Sequence, residues 1–112
     1  IGSCNVEHVA VLSMDSTNRA INYFTVSIGD INSVKVSLAQ LFKAALLSNA
    51  SKIIVAHNHP SGILSITKND IEMTKKIAFL SNCFDIELID SLVVSSSKAI
   101  SIREYCGEIK NE

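Results

Sequence analysis

Apolar and polar side chains alternate through Tyr23-Phe24-Thr25-Val26-Ser27-Ile28, the two-residue period of a strand with one face covered. Upstream, Val9-Ala10-Val11-Leu12 supplies the centre of another strand. These runs predict strands from Val6 to Asp15 and from Ala20 to Ile28, joined as a hairpin by the polar Ser16-Thr17-Asn18-Arg19. The period then changes. Ser37-Leu38-Ala39-Gln40 has the form of a capping box, and Leu38, Leu41, Phe42, Ala45 and Leu46 follow at helical spacing, predicting a helix to about Asn49.

Lys52 to Ala56 is wholly apolar after its lysine, as an interior strand buried on both faces should be. His57-Asn58-His59-Pro60-Ser61-Gly62 then reads as a loop forced by Pro and Gly. Thr67-Lys68-Asn69-Asp70 opens a second helix, whose buried face is expected at Ile71, Thr74, Ile77, Ala78 and Phe79. Strands from Glu87 to Ser95 and from Lys98 to Ile102 complete the order β-β-α-β-α-β-β, which implies an α/β sandwich with a mixed sheet.

Composition narrows the setting. The chain has 112 residues, the size of one domain, and a 47% hydrophobic content supplies one core. Even composition from end to end predicts a single domain over 1–112, and a start at Ile1 rather than Met reads as a fragment of a longer chain. Ten basic against eleven acidic side chains give a net charge of −1, which removes the general electrostatic drive towards phosphate backbones. No apolar run exceeds four residues, so a spanning helix of about 20 is not expected. Cys4, Cys83 and Cys106 are widely spaced and odd in number, which suits a reducing, cytoplasmic setting and small core or surface roles. The four Phe and two Tyr are scattered and read as core residues.

Chemistry concentrates at His57 and His59. Side chains at i and i+2 of extended backbone lie on one side, so both imidazoles can face one point. A catalytic zinc needs a third protein ligand and keeps a fourth position for water. Asp70, eleven residues after His59, can be that ligand or the second half of a capping box with Thr67. A hydrolytic site also needs a general base. Glu7, at the head of an apolar strand, is the candidate, against the reading of an exposed strand-edge glutamate.

The spacing His57-x-His59, seven residues, Thr67, two residues, Asp70, with an early-strand glutamate, closely resembles the JAMM metal motif of JAB/MPN domains. That motif runs Glu, then His-x-His, seven residues, Ser-x-x-Asp. The likeness is to the RadC branch, and covers Glu7 with Val9 to Asp15, Asn18-Arg19, Ser33-Val34-x-Val36, Phe42-Lys43-x-Ala45-Leu46, Ile54 to Gly62 and Asp70-Ile71. The resemblance implies a JAB/MPN-like sandwich, related to the cytidine-deaminase fold, with helices flanking a mixed sheet. It further implies one zinc ion held by His57, His59 and Asp70, with water in the fourth place. Glu7 would be the general acid/base, and Thr67 would stand for the motif's serine, whose hydroxyl helps stabilise an oxyanion. The implied reaction is hydrolysis of a peptide or isopeptide bond.

Two stretches depart from RadC relatives. Ile63-Leu64-Ser65-Ile66 replaces Asp-Pro-x-Pro, making the loop less rigid and its apolar residues available to a partner or the core. Asp90-Ser91 stands where Asp-His is common. The rival readings are weaker. A zinc deaminase needs His-x-Glu and Pro-Cys-x-x-Cys, and this chain has neither. HNH nucleases are named for residues far apart in sequence. The RadC name is attached to DNA repair, and full-length relatives often carry an N-terminal helix-hairpin-helix region. In this domain, charge balance and aromatics predict no strong nucleic-acid binding. The alternative to a hydrolase is a non-catalytic protein- or DNA-interaction module that keeps the fold. Self-association as a homodimer through a free strand edge is also compatible with the pattern.

Overall fold

The computed structural model describes residues 7–28, 34–59 and 63–105. Five strands form one mixed sheet, flanked by helices: β1 (Glu7–Met14), β2 (Ala20–Ile28), β3 (Lys52–Asn58), β4 (Glu87–Val94) and β5 (Ala99–Ser101). Between them run α1 (Val34–Leu47) and α2 (Lys68–Cys83), with a short α3 (Ile102–Tyr105) after β5. The strand order is β2-β1-β3-β4-β5. β1 pairs antiparallel with β2 and β3, β3 pairs parallel with β4, and β5 closes antiparallel on β4.

This order fixes where the helices lie. The crossovers β2-α1-β3 and β3-α2-β4 join parallel strands and step the same way across the sheet. Right-handed crossovers therefore put both helices on one face. The packing agrees: Val9 and Val11 of β1 and Ile53 and Val55 of β3 share a cluster with Leu38, Leu41, Phe42 and Ala45 of α1 and Ile77 and Ala78 of α2. Each large side chain buried there contributes roughly 1.5–3 kcal/mol. The hairpin between β1 and β2 is tied by Asp15, whose Oδ1 accepts the backbone N–H groups of Thr17 and Arg19, with Asn18 at φ 68°.

Several boundaries differ from the pattern-based expectation. α1 starts at Val34, so Ser37-Leu38-Ala39-Gln40 lies inside the helix rather than at its cap. A capping-box pattern is a local signal that an interior turn tolerates, and segment 29–33 lies outside the described residues. β3 continues beyond Ala56 to Asn58, because the parallel ladder with β4 holds His57 opposite Val93 and Asn58 opposite Val94. On α2 the buried stripe is Asp70, Thr74, Ile77, Ala78 and Ser81, while Phe79 falls off that stripe and is 58% exposed. The last strand stops at Ser101, whose Oγ accepts the Glu104 N–H and starts α3 instead.

The aromatic expectation also fails. Phe42 is buried, but Tyr23, Phe24, Phe79, Phe84 and Tyr105 are exposed large side chains. Tyr23 and Phe24 lie on β2, an edge strand, and Phe84 forms a tilted ring contact with Phe42 at 5.6 Å. Cys83 is exposed and unpaired; Cys4 and Cys106 lie outside the described residues. No helix among the described residues is long and apolar enough to cross a membrane.

Candidate metal centre

β3 is an interior strand laddered on both sides, which leaves its side chains little freedom. His57, the next-to-last residue of that strand, is fully buried. His59 follows two residues later on the same side and is partly exposed. α2 begins across the loop and brings Asp70, in its first turn, against both rings. His57 Nε2 lies 2.7 Å from Asp70 Oδ1. His59 Nε2 lies 3.0 Å from Asp70 Oδ2 and 3.2 Å from Oδ1. The rings are 5.5 Å apart between centroids.

The capping reading of Asp70 is met, and the carboxylate is also placed where a ligand would stand. Thr67 Oγ1 accepts the Asp70 N–H at 3.1 Å, and Asp70 Oδ2 accepts the Thr67 N–H at 2.8 Å, forming a complete capping box. The same carboxylate still faces both imidazoles. Burial pushes its pKa up, but hydrogen bonds from His57, the Thr67 N–H and His59 more than offset this and hold it well below the usual carboxylate range. The N-terminal end of α2 favours the same anionic form.

Second contacts orient the rings. His59 Nδ1 lies 3.2 Å from the Ile63 carbonyl oxygen, which can only accept. That nitrogen therefore donates, and Nε2 is the atom turned to Asp70. His57 Nδ1 is buried without a hydrogen-bond partner among the described residues. In the adjacent layer, Thr74, one turn beyond Asp70, donates to the buried Ser91 Oγ at 3.0 Å, linking α2 to β4. Asp90 Oδ2 accepts the Ser101 hydroxyl at 2.7 Å and Oδ1 accepts the Ser91 N–H, binding β5 to β4. Ile63 is exposed, while Leu64 and Ile66 are half-buried.

The donor set suits a divalent ion. One ligand atom from each of His57, His59 and Asp70 lies within 4.8 Å of the others. A tetrahedron with bonds of ~2.0–2.2 Å separates its donors by ~3.4 Å, so small adjustments accommodate zinc. Two imidazoles and one carboxylate also leave a position open for water.

Glu7 is not one of the clustered donors. It opens β1 opposite Ile28 of β2 and is half-buried. Val9 stands directly across from His57 on β3, so Glu7, two residues earlier and on the same face, is level with His59 along that register. Thr67 is exposed as the N-cap of α2. Its hydroxyl oxygen is engaged by the Asp70 N–H, while its proton stays available to donate. Sequence reasoning passed over Asn58, fully buried between the two histidines, whose Oδ1 accepts the His8 N–H at 2.7 Å. It also passed over the Ile63 carbonyl, since a backbone atom leaves no mark in a side-chain pattern.

A family model described as the RadC-like JAB domain matches residues 1–108. Among similar proteins is a UPF0758 protein of Finegoldia magna, 39% identical over 104 residues, covering 93% of this chain and 47% of that protein. Another, from Chloroflexus aurantiacus, is 38% identical over 98 residues, covering 88% of this chain and 43% of its own length. A UPF0758 protein of Bacillus velezensis is also 38% identical over 98 residues. The chain thus spans less than half the length of the curated relatives it matches.

Proposed function

Because the chain belongs to the RadC-like JAB domain family, we propose that it is the hydrolytic domain of a larger protein, cleaving peptide or isopeptide bonds with one zinc ion. The observation that carries this reading is the convergence of buried His57, partly exposed His59 and buried Asp70, two imidazoles and one carboxylate, within 4.8 Å of one another. Zinc bound there would lower the pKa of its water to about 7 and polarise the substrate carbonyl.

The remaining work falls to the chain's own groups. Glu7 would take up the proton that the attacking water gives up. The same carboxyl then passes that proton to the departing nitrogen as the C–N bond breaks. The Thr67 hydroxyl, with its proton free, donates to the oxygen that gains negative charge. Asp70 stays ionised through its helix-end hydrogen bonds, and the Ile63 carbonyl holds His59 Nδ1 as a donor, so that Nε2 is the nitrogen that would give up its proton to hold zinc.

Elemental mass spectrometry of the purified domain tests the reading, with the wild type beside His57→Ala and Asp70→Ala. Near-stoichiometric zinc in the wild type and loss in both variants is the expected result, followed by a screen of peptide and isopeptide substrates. A wild type that takes up no metal after zinc is added at neutral pH would favour the interaction module instead.

A further inference from the structure

We propose that Asn58 is a positioning residue that sets Glu7 against the metal centre, an inference that rests on the roles given above to Glu7 and the three donors. The β1–β3 backbone pairing extends to Val9 opposite His57. One step further the backbone ladder gives way to a side chain: Asn58 Oδ1 accepts the His8 N–H at 2.7 Å. A side-chain amide oxygen has the chemistry of a backbone carbonyl but stands off its own strand. It therefore prolongs the pairing by one bond while letting the two backbones part where the site opens.

The consequence reaches Glu7. His8 is the residue after it, so fixing the His8 amide fixes where the glutamate leaves the sheet. On the other side Glu7 pairs with Ile28 of β2. The start of β1 is thus held from both neighbours, and Asn58 is the hold on the side of the histidines. The amide is fully buried. A buried acceptor that loses its donor is costly, so the contact is kept rather than exchanged with water. Asn58 also sits between His57 and His59 in sequence, so one residue sets the spacing of the rings and the seat of the base.

The test uses the domain with cobalt(II) in place of zinc, because its visible absorption reports the ligand geometry and hydrogen bonding of bound water. Wild type, Glu7→Gln, Asn58→Leu and Asn58→Asp are compared for cobalt affinity, the visible band, and hydrogen exchange of the His8 amide without metal. Asn58→Leu is expected to hold cobalt within about threefold of wild type and to shift the band as Glu7→Gln does. Its His8 amide should exchange about tenfold faster, the equivalent of one lost hydrogen bond. Asn58→Asp keeps the oxygen and should restore the protection. Asn58→Ala carries the same comparison should the leucine variant not fold.

A merely structural asparagine would lower thermal stability without moving the band. A wild-type spectrum in Asn58→Leu beside a shifted one in Glu7→Gln therefore overturns this proposal alone. A wild-type spectrum in Glu7→Gln, or a wild type that binds no cobalt, overturns the functional reading beneath it and this proposal with it.

Discussion

Replacing Asp70 with asparagine separates its two duties. The carboxylate accepts from three groups: the Thr67 N–H at 2.8 Å, His57 Nε2 at 2.7 Å and His59 Nε2 at 3.0 Å. In Asp70→Asn one oxygen remains, enough to keep the capping bond from Thr67, but the amide nitrogen now points donors at donors. Two charge-assisted hydrogen bonds are lost, one to a fully buried ring and one to a partly exposed ring. At about 1.5–3 kcal/mol for the buried bond and less for the other, metal-free Asp70→Asn should unfold with a stability lower by about 2–4 kcal/mol. Urea unfolding in the presence of a chelator measures this. Repeating the series with zinc at about 100 times the wild-type Kd should add about 2.7 kcal/mol to the wild type. The variant, with one ligand replaced, should gain less than about 1 kcal/mol at the same zinc concentration. Equal gains in the two proteins would refute ligation and leave Asp70 with the cap alone.

The pH dependence of that difference has a fixed sign. Asp70 titrates below its unfolded value of ~3.9, so its contribution is complete above that pH and is lost as pH falls towards the folded value. The part of the stability gap between wild type and Asp70→Asn that Asp70's own ionisation supplies, measured in urea without metal, should shrink as pH falls below about 4. Thr67→Ala removes the acceptor for the Asp70 N–H and should cost about 1 kcal/mol by the same assay, while Thr67→Ser should stay within a few tenths. Phe42→Ala opens a void among α1, the sheet and Phe84 and should cost about 3–5 kcal/mol, seen as a lower Tm in the absence of any change in zinc stoichiometry. Glu7→Gln should bind zinc as the wild type does and lose at least ~100-fold in hydrolysis of any substrate found by screening.

Much of this arrangement could be read from the chain. Alternation placed β2, and the apolar runs Val9 to Leu12 and Ile53 to Ala56 placed β1 and the interior β3, because each pattern reports burial of a regular element. His57 and His59 were legible as a pair because a two-residue step on extended chain has fixed geometry, whereas spacing left Asp70 between ligand and cap and only the resemblance to the JAMM motif joined it to them. Phe79 misled because an apolar side chain reports affinity for a core, whereas the 3.6-residue turn decided which face α2 turned inward. Phe24 and Tyr23 misled for a related reason: β2 lies at an edge, and strand order is a long-range property invisible to local alternation. The reach of β3 to Asn58 was likewise hidden, as it depends on β4 supplying partners more than thirty residues later.

The loop sequence Ile63-Leu64-Ser65-Ile66 gains meaning from where the donors are anchored. His57 belongs to a strand paired on both sides, and Asp70 belongs to the first turn of a helix closed by its own capping box. Neither depends on the connecting loop for its orientation. Of the described loop residues, Ile63 touches the donors through its backbone carbonyl, an atom that every amino acid supplies. The loop's side chains can therefore vary while the donor set is retained, provided the chain still brings that carbonyl to His59. What the loop's side chains change is the surface beside the candidate centre, where an exposed Ile63 stands next to a partly exposed His59. Under the proposed hydrolytic reading, substrates would be selected at this surface, with the donor set held by β3 and α2 beneath it.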